Sequence, residues 1–204
     1  GNTDLMAKAV KTSEADCIID FSHPSVIIEN IKTVLPLGIP VVVGTTGWND
    51  KKAEIEQLAV SCGGTIMTSA NFSIGVNMFY KIVEEAVKIM NTYPEYDIAT
   101  WEMHHNQKAD SPSGTALEIA HRIINCSSVK KEIVTDAFHE KPKTEELHVS
   151  STRCGSTPGT HTVWFDSTAD TIELSHTARN REGFALGAVV AAENLAARIQ
   201  NKTL

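Results

Sequence analysis

Residues 102–116, EMHHNQKADSPSGTA, carry the greatest density of chemically active side chains in the sequence. Two adjacent imidazoles, His104 and His105, precede the ammonium group of Lys108. An imidazole exchanges a proton near neutral pH and can act as a general acid or base. A lysine is a point charge that suits a carboxylate. The segment therefore predicts acid–base chemistry on a small acidic substrate.

The end of the same segment predicts the start of a helix. Proline suits the first helical positions and serine or threonine caps a helix, so Pro112, Ser113, Gly114 and Thr115 fit this pattern. The free amides of a first helical turn attract anions. A plain cap and an anion site have the same arrangement, and both interpretations stay open for this turn.

A metal site is the alternative for the paired histidines, with Asp110 as a third ligand. Adjacent side chains on an extended segment point to opposite sides, and the sequence has no HExxH spacing. We therefore expect no metal here. The four cysteines share no CxxC spacing and are expected to be free thiols; they are Cys17, Cys62, Cys126 and Cys154.

The elements that must position these groups are predicted from hydrophobic patterns. Apolar runs at 16–22, 39–44 and 64–69 are typical of buried strands, and helices are expected at 24–34 and 50–60. This alternation predicts a parallel sheet with right-handed crossovers. Ligands of such sheets bind at the carboxyl ends of the strands. Those ends are residues 21–23, 44–47 and 70–73.

The second half of the chain has a different organisation. An amphipathic helix is expected over 77–90, and an extended run over 96–103 leads into the histidines. A helix over 115–124 and an alanine-rich helix over 184–199 complete the helical predictions. Strands are expected at 148–153, 160–166 and 171–177, in a mixed or antiparallel sheet. Residues 125–146 show no clear pattern.

The expected fold class is α/β. A partial Rossmann-type domain with a parallel sheet, residues 1–72 and 183–204, is expected to bind a dinucleotide. A smaller α+β domain with a mixed or antiparallel sheet, residues 73–182, is expected to bind the substrate and to form oligomer contacts.

Composition excludes several classes of function. The chain has 204 residues and a net charge of −7, which argues against broad nucleic-acid binding. Its 42% hydrophobic and 21% charged residues are typical of globular proteins. No apolar run reaches the ~20 residues that cross a bilayer, and the first residues show no signal-peptide pattern. We expect a cytoplasmic protein without membrane contact.

The pattern ExHHxxKxDxPSGTA at 102–116 closely resembles the signature of the bacterial dihydrodipicolinate reductases, also described as 4-hydroxy-tetrahydrodipicolinate reductases. Further matches are IDFSHP at 19–24, VGTTG at 43–47, ANFSIGVN at 70–77, HTV at 161–163 and HxAxxRxxFAxGA at 176–188. The resemblance covers residues 16–192. One departure is Ser111, where the family usually has alanine.

The resemblance implies hydride transfer from NADH or NADPH to a cyclic, unsaturated dicarboxylate on the diaminopimelate route to lysine. His104 would be the general acid, and Lys108 would stabilise negative charge that develops on the ring. The resemblance implies that the substrate carboxylates are bound by His105, Ser113, Gly114 and Thr115, with Thr46 beside the substrate.

The family also implies a coenzyme site and an assembly. Gly44 and Thr45 would lie near the nicotinamide ring, and Ala70 and Phe72 would touch the coenzyme at the hinge between the domains. The family is typically homotetrameric through the sheet of its smaller domain.

Family members begin with a strand, a GxxGxxG turn and residues that select NADH or NADPH. This sequence contains no such turn before residue 16, and we expect a further segment to precede residue 1. The alternative hypothesis is a non-catalytic dicarboxylate-binding or assembly module. A weaker alternative is a related Rossmann reductase that acts on another acid, against which the long motif argues.

Overall fold

The computed structural model describes residues 3–201. The chain forms two compact units. The first unit contains the chain up to Ser73 together with the stretch from Phe184 onward, and the second unit contains Ile74–Gly183. No helix among the described residues is long and apolar enough to cross a membrane.

The first unit is built around a parallel three-stranded sheet, as the alternating pattern predicted. The strands lie in the order β1-β2-β3, with Ile18 beside Val41 and Val41 beside Ile66. The elements of this unit are α1 (Thr3–Thr12), β1 (Ile18–Asp20), α2 (Pro24–Val34), β2 (Val41–Val43), α3 (Lys52–Cys62), β3 (Ile66–Thr68) and α6 (Glu182–Gln200).

The central strand β2 is buried on both faces, which explains why its sequence is a continuous apolar run. Val41 and Val43 pack in a cluster with residues of α2 and α3. Val42 packs in a separate cluster with Phe72 and with α6 residues such as Ala188. Because its small alanine side chains allow close packing, α6 lies against the β2 face that carries Val42.

The second unit contains a mixed five-stranded sheet, which confirms the predicted sheet class. Its elements are α4 (Ile74–Met90), β4 (Asp97–His104), α5 (Gly114–Cys126), β5 (Glu132–Val134), β6 (Glu146–Arg153), β7 (Thr160–Asp166) and β8 (Thr171–Thr177). The order is β5-β6-β4-β7-β8. β5, β6 and β4 run parallel, whereas β7 and β8 are antiparallel to their neighbours.

The two faces of this sheet differ. On one face, residues such as Val149, Val163 and Phe165 form a buried core with α4 and α5. On the other face, Trp101 and Trp164 are only partly buried, with ring centroids 6.4 Å apart. The alternation of the strands thus produces one packed face and one face with accessible aromatic rings.

Three local details differ from the sequence predictions. The expectation that Pro112 occupies the first positions of α5 is wrong, because Ser113 is the N-cap and the helix begins at Gly114. Helix α1 was not predicted from the sequence. The strand β5 lies in the stretch without a clear pattern, because three residues are too few to show a period.

Candidate functional site

The buried carboxylate of Glu102 is the centre of a polar cluster in the second unit. Glu102 lies on the central strand β4, and its side chain is fully buried. Strand register places Ser151 of β6 on one side of it and His161 of β7 on the other. Three strands thus direct polar groups to one point on the helix-covered face of the sheet.

The Oε1 atom of Glu102 is held by three donors. The Ser113 N–H donates at 2.9 Å, the Ser151 hydroxyl at 2.9 Å and the Arg153 guanidinium at 2.8 Å. Burial by itself raises the pKa of this carboxyl. Interactions with His104, Ser113 and Arg153 outweigh that effect and hold the pKa of Glu102 far below its usual range. Glu102 is therefore ionised at neutral pH.

The other oxygen, Oε2, faces two imidazoles. It lies 3.2 Å from Nε2 of His104 and 3.9 Å from Nδ1 of His161. The two rings meet edge to face with centroids 5.2 Å apart. Burial lowers the pKa of His161 to about 4; the Glu102 charge opposes this effect, and His104 adds to it. His161 is therefore neutral at neutral pH.

The backbone of Gly159 lies close to the imidazole ring of His104. A Cβ atom at Gly159 would lie 2.7 Å from Cε1 of the imidazole, closer than real side chains approach. The glycine also has a φ of +152°, which side-chain-bearing residues rarely adopt. The His104 ring therefore packs against bare backbone on one edge and contacts the ionised carboxylate through Nε2.

Hydrogen bonds from Arg153 connect the loop that follows β4 to this cluster. Arg153 donates to Glu102 and also to the carbonyl oxygen of Asp110. The ammonium group of Lys108 lies 2.7 Å from the carboxylate of Asp110. The backbone N–H of Lys108 donates to the carbonyl of His105 at 3.2 Å, which closes a turn directly after the strand.

The start of α5 joins the cluster through its cap. The side chain of Ser113 accepts from the Ala116 N–H at 3.1 Å, while its own N–H binds Glu102. Ser113 is thus buried within the protein. Gly114 is exposed, and a Cβ there would meet no heavy atom within 4 Å. Accessible backbone at Gly114 can therefore reach an anion, whereas Ser113 acts mainly as the cap.

The strand ends of the first unit carry a different set of contacts. The Thr45 hydroxyl donates to the Ser22 carbonyl at 2.8 Å, and the Trp48 indole donates to the Thr45 carbonyl at 2.7 Å. A Cβ at Gly44 would lie 2.2 Å from the ring of Phe21. Phe21 is half exposed, and its ring centroid lies 5.9 Å from that of Phe72. An exposed aromatic face beside a glycine backbone suits a planar ring such as nicotinamide.

The residues predicted from sequence fall into two groups. His104, His105, Lys108, Ser113, Gly114 and Thr115 belong to the second unit, and Gly44, Thr45, Thr46, Ala70 and Phe72 belong to the first unit. Within their own units, Thr46 and Ala70 are exposed and Thr45 and Phe72 are buried. Thr115 interacts with the Tyr80 hydroxyl, so its side chain already has a partner.

Sequence reasoning missed the roles of four residues in the cluster: Glu102, Ser151, Arg153 and Gly159. His161 appeared in the sequence only as part of the HTV match, without a role. One signal was available, because Ile98, Thr100 and Glu102 share the core-facing period of β4. A charge at a core-facing position must be paired to be tolerated, which marks Glu102 for attention.

The cluster also offers ligand atoms to a metal. Glu102, His104 and His161 each present one such atom, and the three lie within 4.8 Å of one another, the one group of this kind among residues 3–201. Arg153 already binds the same carboxylate, which opposes a divalent cation. The distance of 3.2 Å between Oε2 and Nε2 also suits an imidazole N–H that faces a carboxylate. Asp110 pairs with Lys108 and lies outside this group.

Comparisons with known proteins agree over almost the whole chain. The family model "Dihydrodipicolinate reductase, N-terminus" matches residues 3–72, and "Dihydrodipicolinate reductase, C-terminus" matches residues 75–203. A 4-hydroxy-tetrahydrodipicolinate reductase of Christiangramia forsetii is 42% identical over 182 residues, which are 89% of this chain and 74% of that protein. One of Methanococcoides burtonii is 38% identical over 92% of this chain and 70% of its own length.

Solved structures show the same fold. A dipicolinate-bound dihydrodipicolinate reductase from Paenisporosarcina sp. TG-14 superimposes with a TM-score of 0.72 at 23% identity, over 94% of this chain and 73% of that one. An apo scyllo-inositol dehydrogenase from Lactobacillus casei gives a TM-score of 0.55 at 11% identity, over 96% of this chain and 72% of that one. At these identities the comparison concerns the fold alone.

Proposed function

Because this chain belongs to the dihydrodipicolinate reductase family, we propose that it reduces 4-hydroxy-tetrahydrodipicolinate to tetrahydrodipicolinate with a nicotinamide coenzyme. The net reaction removes the hydroxyl group as water and adds one hydride and one proton to the ring. The observation that carries the proposal is the contact between His104 and the ionised Glu102, beside a lysine and the start of α5.

His104 is the general acid of the proposed reaction. Its Nε2 faces Glu102, which leaves Nδ1 as the nitrogen that delivers a proton to the substrate ring. A positioned acid of this kind contributes about 100- to 10,000-fold to a rate.

Lys108 neutralises the negative charge that develops on the substrate ring. Its ammonium is held by Asp110, a contact that an incoming carboxylate can share or replace. We propose that His105, Gly114 and Thr115 bind the substrate carboxylates, with Ser113 capping the helix that presents them. Thr46 is proposed as a substrate contact from the first unit, by resemblance to the family.

The coenzyme, NADH or NADPH, supplies the hydride. The proposed contacts are Gly44, Thr45, Ala70 and Phe72. Support comes from the exposed Phe21 ring beside Gly44 and from the hydroxyl of Thr45, which fixes the loop by donating to Ser22. Because that hydroxyl is engaged, Thr45 would meet the coenzyme through its backbone.

The test is oxidation of reduced coenzyme in the presence of freshly made 4-hydroxy-tetrahydrodipicolinate. The expected result is oxidation of NADH or NADPH only when that substrate is present. Calorimetry with pyridine-2,6-dicarboxylate and with NADH tests the alternative, a non-catalytic binding module. Dicarboxylate binding without coenzyme binding, together with no oxidation, would overturn the proposal in favour of that module.

We also propose a cytoplasmic homotetramer that assembles through the mixed sheet. The accessible rings of Trp101 and Trp164 on its second face support an interface there, because exposed aromatic surface of this kind marks contact sites. The four cysteines are free thiols, as expected in a reducing compartment. Light scattering should give four times the mass of one chain, and the mass of a single chain would contradict the assembly.

A further inference from the structure

The buried carboxylate beside the proposed acid has no role in the reaction as described so far. We propose that Glu102 is a positioning residue, which fixes the ring orientation and the tautomer of His104 and links it to the first turn of α5. The inference rests on the proposed function, since it concerns the proton donor of that reaction.

The two carboxylate oxygens of Glu102 have different neighbours. Oε1 accepts from Ser113, Ser151 and Arg153, so the carboxylate cannot rotate without breaking several hydrogen bonds. Oε2 is left with the two imidazoles as its neighbours. Among the described residues neither Oε2 nor Nε2 of His104 has a hydrogen bond of good geometry, so the nearest group to the free oxygen is the His104 imidazole, 3.2 Å away.

This geometry favours one tautomer of His104. An ionised carboxylate only accepts, so it favours the tautomer with a proton on the nearest nitrogen, Nε2 of His104, at 3.2 Å. After His104 has given up its other proton, the neutral ring therefore holds hydrogen on Nε2 and a lone pair on Nδ1. Nδ1 is then the atom that is reprotonated for the next turnover.

His161 does not compete with His104 for the Oε2 atom of Glu102. Its Nδ1 lies 3.9 Å from Oε2, beyond hydrogen-bonding distance, and burial keeps its imidazole neutral. The ring instead packs edge to face on His104 and shields the contact from water. Gly159 confines His104 from another side.

Glu102 also connects the proposed proton donor, His104, to the start of α5, which is proposed to bind the substrate carboxylates. The Ser113 N–H that binds Glu102 belongs to the N-cap of α5. Arg153 fastens the intervening loop by donating to both Glu102 and Asp110. One carboxylate therefore sets the position of His104 relative to the helix start at Gly114.

The test uses Glu102→Gln, which keeps the shape and an oxygen acceptor for Ser113 but removes the charge. We expect kcat to fall about 100-fold while the KM for the dicarboxylate changes less than about threefold, because the α5 link is retained. Glu132→Gln on the edge strand β5 is the matched control, since Glu132 is exposed and lies outside the cluster. Its kcat should equal that of the unmodified protein.

A pH profile separates positioning from general damage. The charged and titratable groups of the cluster are Glu102 on β4, Arg153 on β6, His161 on β7 and Lys108 with Asp110 in the loop, and His176 of β8 acts on His161. If Glu102 sets the orientation and tautomer of the acid, Glu102→Gln should change the shape of the kcat profile as well as its height. A profile of unchanged shape, merely scaled down, would overturn the positioning role.

Nitrogen NMR on histidine-labelled protein tests the tautomer without any turnover, with His104→Gln identifying the signal. The neutral His104 of the unmodified protein should carry its proton on Nε2, and this preference should be lost in Glu102→Gln. A proton on Nδ1 in the unmodified protein would overturn the inference even if the variant fails to fold. Absence of coenzyme oxidation by the unmodified protein would instead refute the proposed function, and the NMR result would still stand.

Discussion

The loops at the strand ends of the first unit and the loop after β4 in the second unit are stabilised by different kinds of contact. In residues 44–48, neutral groups hold the backbone, as when Thr45 donates to Ser22 and Trp48 to Thr45. In the second unit, hydrogen bonds converge on the ionised Glu102. A loop whose backbone is held by neutral groups suits the binding of a planar ring. A rigid cluster of charged groups suits proton transfer and carboxylate binding. The comparison predicts that substitutions in the second unit change kcat and that those in the first unit change coenzyme affinity.

The largest expected effect concerns the proton donor and its neighbouring cation. His104→Gln removes the acid, and Lys108→Ala removes the charge that stabilises the developing anion. Each should lower kcat by about 100-fold or more, as is typical of acid–base groups. Steady-state oxidation of the coenzyme measures both. Rates near normal in the two variants would refute the assigned roles and the contrast between the units.

The second prediction concerns the pH dependence of stability in the charged cluster. The pKa of His161 is lowered from 6.5 to about 4 in the folded protein. Between these values the unfolded chain binds more protons, so the free energy of unfolding decreases as the pH falls. The loss attributable to His161 over this window is about 3 kcal/mol, at about 1.4 kcal/mol per pH unit.

Denaturant unfolding of His161→Gln at several pH values checks this prediction. Because glutamine does not titrate, the variant should lose about 3 kcal/mol less than the unmodified protein on acidification from 6.5 to 4. His139→Gln, in an exposed position, is the control and should keep the original slope. Parallel slopes in His161→Gln and the unmodified protein would show that His161 is not held in a neutral state.

The third prediction concerns Gly159, whose backbone lies close to the His104 ring. In Gly159→Ala the new Cβ would lie 2.7 Å from the imidazole, so the ring must move from its position beside Glu102. Displacement of a reacting group by a fraction of an ångström should lower kcat by about 10-fold or more. Gly155→Ala is the control, since its φ of +54° also strains alanine but its Cβ meets no atom within 4 Å. Equal losses in both variants would assign the effect to backbone strain.

These contrasts also show how much of the fold and of the candidate site could be predicted from the sequence. The parallel sheet and the mixed sheet follow from apolar runs and alternation, which are local patterns such as that of Val41–Val43. The motif at 102–116 indicated the start of α5 and supplied the proposed acid and cation. The roles of Glu102, His161 and Gly159 depend on the register of β4 with β6 and β7, strands that are distant in sequence. Local patterns carry no information on such pairing, and only the charge at a core-facing position indicated it.

The smallest expected effect lies in the first unit and sharpens the comparison. Thr45→Val keeps the side-chain volume but removes the hydroxyl that donates to the Ser22 carbonyl at 2.8 Å. The loss of one such hydrogen bond costs about 1 kcal/mol and loosens the loop proposed to meet the nicotinamide. The KM for the coenzyme should therefore rise about fivefold at most, with kcat nearly unchanged.

Thr33→Val is the matched control for this change, because Thr33 makes a similar bond to the Glu29 carbonyl on the exposed side of α2. It should leave both kinetic constants unaltered. A fall in kcat of Thr45→Val as large as that of Gly159→Ala would contradict the proposed separation. The loop at residues 44–48 would then affect the chemical step as well as coenzyme binding. An effect confined to coenzyme KM would support a division in which the first unit fixes the position of the ring and the charged cluster governs the proton.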